Sequence, residues 1–150
     1  QGKQYIEEYF SRFPKIKDYM DYQIKFAQTN NFVETVFGRR CNIKGINDKN
    51  FAVRGFSERQ SINAPIQGTA ADIIKLAMIE IHKNILSGIL NAKMLLQVHD
   101  ELVFEIKDKY VEESISQIKQ IMETAHLEYK DFSVPLTVDY STGNNWGESN

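Results

Sequence analysis

The sequence is poor in residues that cross-link or interrupt a chain. Its 150 residues include a single cysteine, Cys41, which excludes an intrachain disulfide and favours an intracellular, cytoplasmic location. Three prolines and eight glycines are present, with no Gly-rich linker, internal repeat or low-complexity tract. Charged residues interrupt every apolar run within a turn or two, so neither a transmembrane segment nor a membrane partner is expected. No secretory signal opens the sequence.

What is present is the composition of a globular domain. Hydrophobic residues make up 42% and charged residues 25% of the chain, both ordinary proportions. A chain of 150 residues is long enough to bury its own core. The first residue is Gln1 rather than methionine, so we expect this chain to be a piece of a longer protein.

The net charge of −2 conceals an uneven distribution. Residues 38–60 include six basic and two acidic side chains, a local charge of +4, whereas residues 100–150 carry four lysines and eleven acids, a charge of −7. This asymmetry suggests a polyanion bound at one end and cations or solvent at the other. A solvated helix face would also explain part of the acidic half, and we assign Glu112, Glu113 and Glu123 to such a face.

Hydrophobic periodicity predicts helices and antiparallel strands in mixed order, the pattern of the α+β class. Pro14 should kink or break the first helix, and a bend is expected at Pro65. Asn50 is a candidate helix cap, and Gly88 a helix end. The predicted elements are a helix over 4–28, a hairpin over 32–43 with its turn at 38–40, helices over 51–63 and 69–86, a hairpin over 94–106, a helix over 109–129, a strand over 132–140 and a tail anchored by Trp146.

The predicted hairpin over Met94–Ile106 is the strongest candidate for chemistry. Two apolar runs flank a polar break at His99, Asp100 and Glu101, and a turn at His99-Asp100 would place Leu95 on one face with Leu102, Phe104 and Ile106. Glu101 and Glu105 would then share the other face with Val98. Acidic oxygens held on a stiff strand pair suit a hard divalent cation such as Mg²⁺. A polar turn between two core strands is the alternative interpretation.

A second candidate is a row of polar side chains four residues apart. Arg59, Asn63 and Gln67 would stack along one face of a helix, and all three carry hydrogen-bond donors. Such a row can lie along the minor groove of a duplex, where base pairs present acceptors in similar places whatever the sequence. A polar face in water is the alternative. Arg39 and Arg40, expected at a turn, could make forked contacts with phosphate.

Several stretches together resemble the C-terminal region of the family A DNA polymerases. The two longest are RQSINAPIQGTAAD over residues 59–72 and QVHDELVF over residues 97–104. Shorter likenesses occur in the same order, and the resemblance covers essentially the whole chain: YFSRFP at 9–14, ETVFGRR at 34–40 and GNNW at 143–146.

The resemblance implies a role for each candidate residue. Asp100 would be one of two aspartates that hold a pair of catalytic metal ions, His99 would lie near the primer end, and Glu101 would be an accessory acid. The row at Arg59, Asn63 and Gln67 would contact the duplex minor groove and template. Residues 1–57 would be the end of the fingers, and residues 58–150 a palm portion with an antiparallel sheet.

The resemblance also implies what this chain does not contain. The partner aspartate of the Mg²⁺ pair and the helix that holds the incoming nucleotide would lie upstream of Gln1. The implied partners are therefore primer–template DNA, deoxynucleoside triphosphates and the remainder of the polymerase chain. The implied function is addition of deoxynucleotides to a primer in replication and repair, and the chain alone should be inactive.

Two rival functions are kept open. One is a non-catalytic duplex-binding remnant of a polymerase. The other is a metal phosphohydrolase built around a His-Asp pair, which would place His99 and Asp100 on a helix rather than between strands.

Overall fold

The computed structural model describes residues 2–129 and 132–148 and shows mixed helices and small antiparallel sheets, confirming the α+β class. The chain divides into two compact units, Gln1–Thr69 and Ala70–Asn150. Among the helices of these described ranges, none combines the length and apolar character that crossing a bilayer requires.

The first unit begins with two helices separated at a proline. Helix α1 spans Gly2–Arg12 and helix α2 spans Pro14–Asn30, with Phe13 between them at φ −127° and ψ 64°. A residue that precedes proline is disfavoured in the α region, whereas proline suits the first helical position. The predicted break at Pro14 is therefore confirmed.

A short hairpin and a small core follow. Strands β1 (Phe32–Glu34) and β2 (Arg40–Asn42) pair antiparallel, with Glu34 opposite Arg40. The predicted turn at 38–40 is displaced, because Arg40 belongs to β2. The buried core of this unit consists of Ala27, Val33, Ile43 and Ile46.

Helix α3 runs without interruption over Phe51–Leu86, so the predicted pair of helices is wrong. Asn50 caps its start, with Oδ1 accepting the backbone N–H of Ala52 at 2.9 Å. Pro65 lies inside the helix and removes one backbone donor, but tertiary packing offsets that loss. Ser61 and Thr69 on either side are buried, and Ala64 packs against the core of the first unit.

The hairpin β1–β2 approaches α3 closely at Gly68. A Cβ at this position would lie 2.7 Å from the Cγ2 of Thr35 and 3.1 Å from a guanidinium nitrogen of Arg39. Arg39 also donates to the Gly68 carbonyl at 3.0 Å, and Thr69 Oγ1 accepts the backbone N–H of Val36 at 3.0 Å. The missing side chain is what allows these contacts.

We expect Gly68→Ala to destabilise the protein by about 1–3 kcal/mol. Overpacking against the buried Thr35 outweighs the gain in helix propensity of up to about 1 kcal/mol. Gly55→Ala on the same helix is the matched control, because its Cβ would meet nothing closer than an Arg59 nitrogen at 3.8 Å. Denaturant unfolding of both variants measures the difference. Equal stabilisation by the two alanines would contradict the close approach.

The second unit is built on a hairpin packed against a helix. Strands β3 (Lys93–Val98) and β4 (Glu101–Glu105) pair antiparallel, and helix α4 spans Val111–Thr124. Apolar residues of β4 pack on a core of Ile81, Leu90 and Ile118. The chain leaves α3 through Gly88 at φ 75°, as predicted.

The strand register corrects one predicted face. Met94 pairs with Phe104 but Leu96 pairs with Val103, so Leu95 is an extra residue in a bulge. Leu95 therefore does not line up with Leu102, Phe104 and Ile106, which pack on the core. Instead, Gln97 lies opposite Leu102, and Met94 lies opposite Phe104.

The predicted strand over 132–140 is wrong. Residues 132–148, all of which the structure describes, contain no strand. Pro135 has no amide donor, and the N–H of Val138 bonds the carboxylate Oε1 of Glu123 at 2.9 Å instead of a neighbouring strand. Glu123 is therefore not simply solvated, as the sequence suggested, whereas Glu112 and Glu113 are exposed as expected.

Candidate functional site

The tip of the hairpin β3–β4 is the predicted two-residue turn. Val98 pairs with Glu101, which leaves His99 and Asp100 as the loop. The side chains of His99, Asp100 and Glu101 are all exposed. The tip therefore presents two adjacent carboxylates and an imidazole at the end of a paired strand support. The strand structure also argues against the His-Asp phosphohydrolase, which required a helix here.

His99 adopts a backbone conformation that few side chains tolerate. Its φ is 53°, in the left-handed region that tight turns normally fill with glycine or asparagine. For an L residue other than glycine this conformation costs about 1–2 kcal/mol. The strain lies at the residue immediately before Asp100, where it determines how the tip projects from the strands.

A side chain that the sequence interpretation did not single out holds this turn. Nε2 of Gln97 donates to the carbonyl oxygen of His99 at 2.7 Å. Such a hydrogen bond contributes about 0.5–1.5 kcal/mol net, which is comparable with the cost of the strained turn. The signal available beforehand was the lack of glycine at a two-residue tip, which called for some other source of stabilisation.

The carboxylates at the tip are of the kind that binds a divalent cation. Carboxylate oxygens are the ligands that Mg²⁺ prefers, and usually one or two come from the protein. Within residues 2–129 and 132–148, no group of three or more His, Cys, Asp or Glu side chains is arranged to hold a metal ion. Asp100 and Glu101 are thus two adjacent exposed carboxylates of the type that binds Mg²⁺ together with other ligands.

The second candidate, the polar row, lies on one continuous stretch of α3. Arg59, Asn63 and Gln67 are all exposed, and within the described ranges none of their side chains has a hydrogen bond or ion pair with another residue. Their donors remain available to a ligand. The uninterrupted helix through Pro65 supports the predicted alignment of the three side chains along one face.

The part of α3 that carries this row is anchored by a half-buried tyrosine. The hydroxyl of Tyr19, on α2, donates to the carbonyl oxygen of Ile62 at 2.9 Å. Burial raises the pKa of the Tyr19 phenol above its usual value, so the hydroxyl stays protonated as a donor at neutral pH. This contact fixes the backbone between Arg59 and Asn63.

The two arginines expected to touch phosphate are engaged within the protein. Arg40 forms an ion pair with Glu34 at 3.2 Å and stacks over the ring of Phe32 at 4.5 Å. Arg39 bonds the Gly68 carbonyl. Both side chains are exposed, but these contacts give them a role in holding the first unit together.

Comparison with known proteins shows what these features are similar to. The family model described as DNA polymerase family A matches residues 1–148. DNA polymerase I of Streptococcus pneumoniae is 47% identical over 149 residues, which are 99% of this chain and 16% of that protein. DNA polymerase I of Rhizobium leguminosarum is 47% identical over 147 residues, which are 97% of this chain and 14% of that protein.

A solved structure agrees with the fold. The POL domain of Pol1 from M. smegmatis, in complex with DNA primer–template and dNTP, superimposes with a TM-score of 0.90 at 37% identity. The match covers 98% of this chain and 25% of that one. The chain thus spans about a sixth of the length of the curated relatives it matches. A family match over nearly every residue, with relatives at this identity, establishes that the chain belongs to the family A DNA polymerases.

Proposed function

We propose that this chain forms the C-terminal part of a DNA-directed DNA polymerase that adds deoxynucleotides to a primer 3′ end in replication and repair. The observation that carries the proposal is the exposed Asp100 on a two-residue turn between paired strands. Its partners would be primer–template DNA, deoxynucleoside triphosphates and the remainder of the polymerase. Residues 1–57 would be the end of the fingers and residues 58–150 a palm portion, acting in the bacterial cytoplasm at the nucleoid.

Each candidate residue has a part that its position supports. Asp100 would bind the metal ions, with Glu101 as an accessory acid and His99 beside the primer terminus. Two bound Mg²⁺ ions would lower the pKa of the primer hydroxyl and neutralise the leaving pyrophosphate. A second aspartate outside this chain would complete the site, as the resemblance to the family A polymerases implies.

The exposed row on α3 would hold the duplex. Donors on Arg59, Asn63 and Gln67 match the acceptors that base pairs present in the minor groove. Contact of this kind holds DNA without selecting its sequence, as a polymerase requires. Arg39 and Arg40 could add phosphate contacts, although each already has a partner within the protein.

A chimaera tests this assignment directly. We expect residues 1–148 of this chain, replacing the matching region of the Streptococcus polymerase, to support primer extension. The 150-residue chain alone should show none, because the second metal-binding aspartate would be missing from it. Primer extension by the isolated chain would refute the proposal that an aspartate outside this chain completes the metal site. A chimaera that binds duplex in a salt-dependent way but never extends a primer, with or without Mg²⁺, would favour the non-catalytic remnant.

A further inference from the structure

The hairpin tip contains an interaction that the proposed function does not use. Gln97 is the residue before Val98, the last of β3, and its amide reaches forward over the turn to the carbonyl oxygen of His99 at 2.7 Å. The interaction bridges the strand and the loop on the same chain segment. It therefore acts on the backbone conformation of the loop itself.

The turn depends on some such restraint. His99 has a positive φ of 53°, and neither loop residue is glycine. A side chain at this conformation tends to relax towards negative φ, and the peptide between His99 and Asp100 would rotate as it did so. That rotation would change the direction in which the Asp100 side chain points relative to the two strands.

Gln97 is well placed to prevent this rotation. It lies directly opposite Leu102, within the ladder of paired residues, so its own backbone is fixed. Leu102 in turn packs against the core of the second unit. The carbonyl oxygen that accepts the hydrogen bond from Gln97 belongs to the peptide group between His99 and Asp100. This is the peptide group that would have to rotate.

We propose that Gln97 is a positioning residue, whose side-chain amide holds His99 in the left-handed conformation and so fixes the direction of Asp100. The proposal deepens the proposed function, because its catalytic consequence rests on Asp100 binding metal. Its structural consequence, the backbone conformation of His99, does not rest on that function.

Two substitutions of Gln97 distinguish the effect of its hydrogen-bond donor from the effect of its side-chain length. Gln97→Met keeps the length but removes the donor, whereas Gln97→Lys keeps a donor that can reach a carbonyl. In the chimaeric polymerase we expect Gln97→Met to lower kcat about fivefold, with KM for nucleotide and the melting temperature nearly unchanged. Gln97→Lys should recover at least half of that loss. Gln117→Met, which removes an amide on α4 that bonds Glu113, is the matched control and should leave kcat unchanged.

A crystal structure of the Gln97→Met chimaera separates a positioning role from a merely stabilising one. If Gln97 only stabilised the fold, the conformation of His99 would not change. We expect His99 to leave the left-handed region and Asp100 to point in a new direction. The proposal is overturned if His99 keeps its positive φ in that variant, or if Gln97→Lys is as impaired as Gln97→Met. If the parent chimaera proves inactive, the proposed function fails, whereas the His99 conformation still tests the role of Gln97.

Discussion

Replacing Asp100 with asparagine in the active chimaera is expected to lower primer extension by about a thousandfold or more. The amide keeps the size of the carboxylate but loses the negative charge that a divalent cation requires. A loss of this size corresponds to about 4 kcal/mol of transition-state stabilisation. Steady-state incorporation of a single nucleotide at saturating Mg²⁺ measures it.

Duplex binding by the Asp100→Asn variant should stay within about threefold of the parent, because the polar row that would hold the DNA is untouched. Asp108→Asn is the matched control, since Asp108 is an exposed acid in the short turn before α4. It should retain near-normal turnover. Near-normal turnover in Asp100→Asn would remove the metal role from this residue.

Truncation of the polar row is expected to impair DNA handling rather than metal binding. In the chimaera, Arg59→Ala should weaken primer–template affinity about tenfold and make the dependence of affinity on salt concentration less steep. Gln67→Ala should raise the frequency of misincorporation about tenfold, because a minor-groove hydrogen bond near the primer terminus would be lost. Fluorescence anisotropy across a salt series and single-nucleotide misincorporation assays measure these effects.

Exposed Lys75 and half-buried Gln117, neither of them one of the three residues of the row, serve as controls for these changes. Lys75→Ala removes a cation elsewhere on α3, and Gln117→Ala removes an amide on α4. Both variants should match the parent in affinity and fidelity. Equal loss of affinity in Arg59→Ala and Lys75→Ala would indicate a general charge effect and contradict a specific contact along the row.

Local signals in the sequence were enough to predict the hairpin tip. Side chains alternate across a strand, so two apolar runs separated by a short polar break define both strands and the turn between them. The helix break at Pro14 and the cap at Asn50 follow equally local rules. These rules predict backbone structure but not the chemical role of a side chain. The roles of His99, Asp100 and Glu101 therefore stay predictions.

The features that were mispredicted depend on contacts distant in sequence. The bulge at Leu95 shifts the register by one residue, which no alternation pattern in β3 alone reveals. The continuity of α3 through Pro65 reflects burial of Ser61 and Thr69. The segment after Pro135 has strand-like residues, but the N–H of Val138 finds a side-chain acceptor on α4 instead of a ladder.

The contact at Gly68 links two positions that lie far apart in the chain. The atom nearest to a Cβ added at residue 68 is the Cγ2 methyl carbon of Thr35, at 2.7 Å. Removing this methyl group would take away the closest steric clash. Serine at position 35 would keep the hydroxyl that accepts the backbone N–H of Arg39. Gly68→Ala should therefore be better tolerated when it is combined with Thr35→Ser than when it is made alone.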